Sequence, residues 1–155
     1  MSDLDALLQR YADDFNASGL LAAFGARLSF APGAAKSIVS VDEVRPAMRG
    51  GLGTAAINGG VLAALFDVAL GTAASLLDPL RASATVQLSM RFERPCTGDH
   101  FRCEGWVEQG GKSLVFTAAH ILDAAGEICA RAEGVVRVSQ KPWAKGASPG
   151  SALEP

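Results

Sequence analysis

Cysteine is scarce in this chain. Only three occur among 155 residues, Cys96, Cys103 and Cys129, and no pair has the CxxC spacing of a zinc ribbon or a redox motif. An odd number without that spacing gives no disulfide framework. All three fall in or beside strand-like alternation, which suits small buried hydrophobes better than nucleophiles lacking a base. Basic runs are missing too: 14 Lys and Arg against 16 Asp and Glu leave a formal net charge of -2, with the cations scattered. Nucleic acid and anionic membrane surfaces are thereby disfavoured as partners, because both demand a basic stripe. No basic segment followed by an apolar core opens the sequence, so the expected location is the cytoplasm. Histidine is limited to His100 and His120, neither with a carboxylate at metal-ligand spacing, so no metal and no cofactor is expected. The GGKS stretch at Gly110 to Ser113 lacks the upstream glycine of a phosphate loop and sits in a hairpin context, which excludes a nucleotide hydrolase.

What the chain does have is apolar residues, 49% against 19% charged, enough for one globular domain with a real core. The longest apolar run, INGGVLAALFDVALGTAASLL from Ile57 to Leu77, carries a single aspartate, Asp67, in its middle. A carboxylate at mid-membrane costs about 2.5 to 3.5 kcal/mol, and anchors flanking the run are sparse, so a membrane span is a poor explanation. A helix enclosed by its own domain explains the run better. Asn58 is its natural N-cap and Pro79 its stop, predicting a central helix over 58–78.

Around that helix the rest arranges itself. Leu4, Leu7, Leu8, Tyr11 and Phe15 recur at helical spacing, predicting an amphipathic N-terminal helix within 1–19 that stops at Asn16, Ser18 and Gly19. Two strands on either side of a Pro-Gly turn follow, then a Gly-rich loop. After Pro79 four strands are joined by tight turns; in the first, alternation places Val86, Leu88, Met90 and Phe92 on one face and Thr85, Gln87, Ser89 and Arg91 on the other. The expected fold class is α+β: a single antiparallel sheet of about six strands wrapped around one long central helix. The domain is expected to span 1–138, with 139–155 a flexible tail rich in Pro, Gly, Ser and Ala.

Three stretches in this order carry a resemblance. NGGVLAALFDVALGTAA (Asn58 to Ala74), ATVQLSMRFERPCTGD (Ala84 to Asp99) and GGKSLVFTAAHILDAAGEICARAEG from Gly110 together resemble hotdog-fold acyl-CoA thioesterases of the phenylacetate-pathway (PaaI-like) type, in the 4-hydroxybenzoyl-CoA thioesterase superfamily. The similarity covers about Gly25 to Val138. It implies that the Gly59 backbone N–H polarises a thioester carbonyl, that Asp67 is the nucleophile or general base, and that the Thr85 hydroxyl helps place the attacking water. Asn58 stands where the family most often has histidine. The hairpin carrying Lys112 and Ser113 is implied to lie along coenzyme A, with Lys112 the candidate for a phosphate.

Elementary chemistry agrees. A thiol leaving group with a pKa near 8.5 departs as thiolate without full protonation, so a polarised carbonyl and an activated water are the main requirements. Unpaired N–H groups at a helix N-terminus supply the first, Gly59 and Gly60 allow close approach, and an Asn58 amide can cap the helix or donate to the carbonyl. Phe66, Met90 and Met48 are expected to set the width of the acyl pocket. Asp67 lies eight residues after Gly59, roughly 12 Å along one helix, too far for both to serve one carbonyl. A two-fold dimer with antiparallel helices would bring Gly59 of one subunit to Asp67 of the other, so a dimer is the expected minimal active unit and a tetramer an open extension. Three other readings remain: an acyl-CoA-binding hotdog protein without turnover, a hotdog dehydratase or hydratase, and a dimer whose ligand is not a thioester.

Overall fold

The computed structural model describes residues 2–142. Helix α1 (Asp3–Asn16) begins in a capping box: the Ser2 hydroxyl accepts from the Asp5 N–H while the Asp5 carboxylate accepts from Ser2, and Leu8, Tyr11 and Ala12 are buried. A second short helix, α2 (Gly19–Phe24), follows at once and ends on Gly25 in the left-handed region. Sequence signals at Asn16, Ser18 and Gly19 predicted only a stop; Ser18 is in fact the N-cap position of α2, and Leu21 is its buried anchor.

Strands β1 (Ala26–Phe30), β2 (Ser37–Val41), β3 (Arg81–Phe92), β4 (Phe101–Gln109), β5 (Leu114–Leu122) and β6 (Ile128–Pro142) form one antiparallel sheet in the order β1-β2-β4-β5-β6-β3. Helix α3 (Gly59–Ala74) lies across its inner face. This is the expected hotdog arrangement, with the expected N-terminal helix. Helix α3 ends at Ala74, four residues before the predicted boundary, because Ser75, Leu76 and Leu77 close it with tight turns ahead of Pro79. Strand β6 runs to Pro142, past the domain boundary drawn at Val138; residues 143–155, the rest of the predicted tail, lie outside the described residues.

Two glycines let the helix sit close to the sheet. A Cβ on Gly105 of β4 would stand 2.5 Å from the Ala69 carbonyl of α3, and one on Gly134 of β6 would stand 3.0 Å from a Leu70 methyl. Ser37, opposite Gly105 in the register, donates to the same Ala69 carbonyl at 2.8 Å. Leu65, Phe66, Ala69 and Leu70 are completely buried against Val39, Val41, Cys103 and Ile121, each large side chain worth about 1.5 to 3 kcal/mol relative to exposure.

The sheet covers only part of the helix. Gly60 and Asp67 are exposed, with Ala63, Ala64 and Gly71 half-buried between and beyond them, so a stripe of small residues remains open along α3. Enclosure on all sides was the expectation from sequence; one chain does not achieve it.

Candidate active site

The entrance of α3 is built first by Asn58. Its side-chain Oδ1 accepts from the Gly60 N–H at 2.8 Å, and its main-chain carbonyl accepts from Val61 and Leu62 at 3.0 and 3.2 Å. Of the first N–H groups of the helix, that of Gly59 is left without a partner among the described residues. It therefore carries the positive end of the helix dipole to the surface. With Oδ1 committed to the cap, only the amide NH2 of Asn58 remains to donate. The Phe92 ring walls the site, 3.4 Å from where a Gly59 Cβ would stand.

Asp67 is exposed in the open stripe, and no hydrogen bond or ion pair reaches its carboxylate among the described residues. The helix turns it away from the sheet, so within one chain it is not enclosed. One turn later the Thr85 hydroxyl lies 3.5 Å from the position of a Gly71 Cβ, and Ser83 donates to the Gly71 carbonyl at 3.2 Å.

Thr85 reaches that position through an irregularity that alternation did not foresee. The β3–β6 register breaks between Thr85 and Gln87, leaving Val86 as the extra residue of a bulge. Thr85 pairs with Val136, Leu88 with Gly134 and Met90 with Ala132, so Thr85 joins Leu88 and Met90 on the helix-facing side, while Val86 is exposed. The strict period-two assignment, which put Thr85 opposite Leu88, is wrong for that reason.

The substrate-binding expectations divide. Met90 is half-buried against the core, but Phe66 and Met48 are enclosed at 0% and 4% exposure and offer no surface to a ligand within one chain. Lys112 and Ser113 are exposed in the β4–β5 hairpin, and Ser113 lines a depression together with Arg137 and Lys141. This hairpin packs near Leu77, beyond the C-terminal end of α3, whereas Gly59 is at the N-terminal end. Within one chain the two are separated by a 16-residue helix, about 24 Å.

The cysteines and histidines lie in buried or paired settings. Cys96, Cys103 and Cys129 are buried free thiols, and burial holds the Cys103 thiol well above its ordinary range. Both histidines have carboxylate partners: His100 Nδ1 meets Asp99 at 2.7 Å, and His120 Nε2 meets Glu104 at 3.2 Å. The second partnership follows from the β4–β5 register, in which Glu104 faces His120, and residue spacing cannot show it. Glu104 also accepts from Lys36 and Arg102, both at 2.7 Å. Burial alone would raise its pKa, but these three donors outweigh it and hold the carboxyl at about 2. No group of three His, Cys, Asp or Glu residues gathers at metal-binding distance among the described residues, and no described helix is long and apolar enough to cross a membrane.

A family model described as the thioesterase superfamily matches residues 55–130, the segment from the α3 entrance through β5 into β6. The match spans 76 of the 155 residues, just under half of the chain, and it supports a thioester hydrolase. Among solved structures, a thioesterase-superfamily-related protein from Shewanella oneidensis is similar at 20% identity and a TM-score of 0.80, covering 90% of this chain and 100% of that one. The Escherichia coli PaaI protein of the phenylacetic acid degradation operon is similar at 18% identity and a TM-score of 0.78, covering 90% and 99%. A thioesterase family protein from Silicibacter pomeroyi is similar at 23% identity and a TM-score of 0.74, covering 85% and 97%. At these identities the likeness establishes the hotdog fold. No curated protein matches the chain.

Proposed function

We propose that this thioesterase hydrolyses acyl-CoA at two identical sites shared across a two-fold dimer, with Gly59 supplied by one subunit and Asp67 by the other. The observation that carries the reading is the Asp67 carboxylate, exposed on the open stripe of a largely buried helix and without a partner among the described residues. The stripe is formed by Gly60, Ala63, Ala64 and Gly71, small enough for a second α3 to approach closely. The free edge of β3, with Val86 and Phe92 more than half exposed, offers an unpaired strand for the same contact.

In that arrangement the thioester carbonyl accepts from the Gly59 N–H. Asp67 removes a proton from the attacking water, or itself attacks the carbonyl and is released by water. Thr85, one turn along the stripe, helps hold the water. As the tetrahedral intermediate collapses, the C–S bond breaks, the electron pair leaves on sulfur, and the products are a carboxylic acid and coenzyme A. An antiparallel pair of helices also carries the hairpin of a second copy toward the Gly59 end, where Lys112, joined by Arg137 and Lys141, gives cationic contact to coenzyme A phosphates. The family's usual histidine is dispensable in this scheme, because Asn58 supplies the cap and a thiolate is a good leaving group.

Free-thiol release from short, medium, long and aromatic acyl-CoA thioesters, with wild type and Asp67→Asn side by side, tests the reading. The nearly isosteric variant is expected to lose about a hundredfold or more in turnover while its melting temperature stays near that of wild type. Equal turnover by both proteins would remove Asp67 from the reaction. Binding of acyl-CoA without thiol release by either would instead mark a protein that holds the thioester and leaves it intact.

A further inference from the structure

We infer that Arg49 is a positioning residue for the Gly59 N–H, an inference that rests on the role proposed above for that group. The Arg49 guanidinium donates from Nη1 to the Ala55 carbonyl at 2.7 Å and from Nη2 to the Gly98 carbonyl at 2.9 Å. Those carbonyls belong to the two segments that meet at the entrance of α3.

The first segment, 50–56, reads GGLGTAA and has little conformational preference of its own: it holds three glycines, and Leu52 sits at φ 63. Its ends are joined by the Gly50 N–H to the Ala56 carbonyl at 2.8 Å and by the Arg49–Ile57 bridge. The second is the turn after β3, from which the Cys96 carbonyl accepts from the Ile57 N–H at 2.8 Å. Asn58 in turn donates its N–H to the Met48 carbonyl at 2.8 Å. The Asn58–Gly59 peptide, whose N–H is the unpartnered one, hangs from these ties. Arg49 is the side chain that joins the flexible segment to the turn, and its planar fork reaches both carbonyls at once, which a lysine ammonium on a single stem does not. Displacing a catalytic donor by about 1 Å costs on the order of a hundredfold in rate, so a slack entrance is felt in turnover.

The test is thiol release by Arg49→Ala, Arg49→Lys, Asp67→Asn and wild type, with melting temperatures recorded for each. Arg49→Ala is expected to lower kcat about tenfold or more with KM within about threefold, to melt close to wild type, and to regain part of its rate in guanidinium chloride well below the unfolding range. Arg49→Lys is expected to fall between. An Arg49 variant that melts normally and keeps wild-type kcat overturns the inference, as does a loss that tracks a lowered melting temperature and does not respond to guanidinium. Should Arg49→Ala fail to fold, Arg49→Lys decides by the same criteria. If Asp67→Asn loses activity while the Arg49 variants keep it, the positioning role alone fails. If Asp67→Asn also turns over like wild type, the shared-site reading falls and the Arg49 role with it.

Discussion

At the scale of single residues, the chain separates its charges by purpose. Asp67 is held in the open without a partner among the described residues, whereas Glu104 is nearly covered and satisfied by Lys36, Arg102 and His120. The folded Glu104 carboxyl titrates at about 2, below its ordinary value of 4.5. Its contribution is therefore complete above the unfolded value and is lost as pH falls from 4.5 toward about 2. Glu104→Gln is expected to cost about 1 to 3 kcal/mol near neutral pH, since two cations lose their charged acceptor, and the gap from wild type should narrow as pH drops through that window. Urea unfolding midpoints across the acid range measure this directly. An unchanged gap would mean that the Glu104 charge contributes nothing.

At the scale of elements, α3 depends on the sheet giving way beneath it. Gly105 and Gly134 are the points of closest approach, and no rotamer relieves a Cβ facing a helix carbonyl at 2.5 Å. Gly105→Ala is expected to destabilise the fold by about 1 to 3 kcal/mol, read as a lowered denaturant midpoint with unchanged slope. Much of the element pattern was legible beforehand: the apolar run bounded by Asn58 and Pro79, the four strands after it, and the amphipathic first helix. Alternation failed at one place that matters. A bulge at Val86 costs nothing in composition, yet it rotates Thr85 onto the face of Leu88, and only strand pairing reveals it. Helix α2 was missed because six residues hold too few turns for a periodic signal.

At the scale of the whole molecule, one chain leaves three surfaces unfinished along the same side: the small-residue stripe of α3, the outer edge of β3, and the site entrance at Gly59. A dimer that completes all three is expected in solution, twice the 16.0 kDa chain by light scattering at micromolar concentration. Val86→Arg, placed on the exposed bulge of the β3 edge, is expected to weaken that dimer by about tenfold or more, with turnover per chain falling on dilution in parallel. A fully active monomer would contradict the shared site.

The sequence by itself determined one antiparallel sheet around a central helix, the single Asp67 in that apolar helix, and the separation of Gly59 from Asp67 along it, because hydrophobic period, capping and helical rise are local properties; the name hotdog came from resemblance. The sequence also placed the three cysteines inside. Tertiary structure alone decided that Asp67 is exposed, that Phe66 is enclosed, that Thr85 faces the helix, and that Glu104 anchors His120. Each of those depends on which residues meet across strands or between helix and sheet, and such pairings arise from register and close packing that no window of neighbouring residues contains.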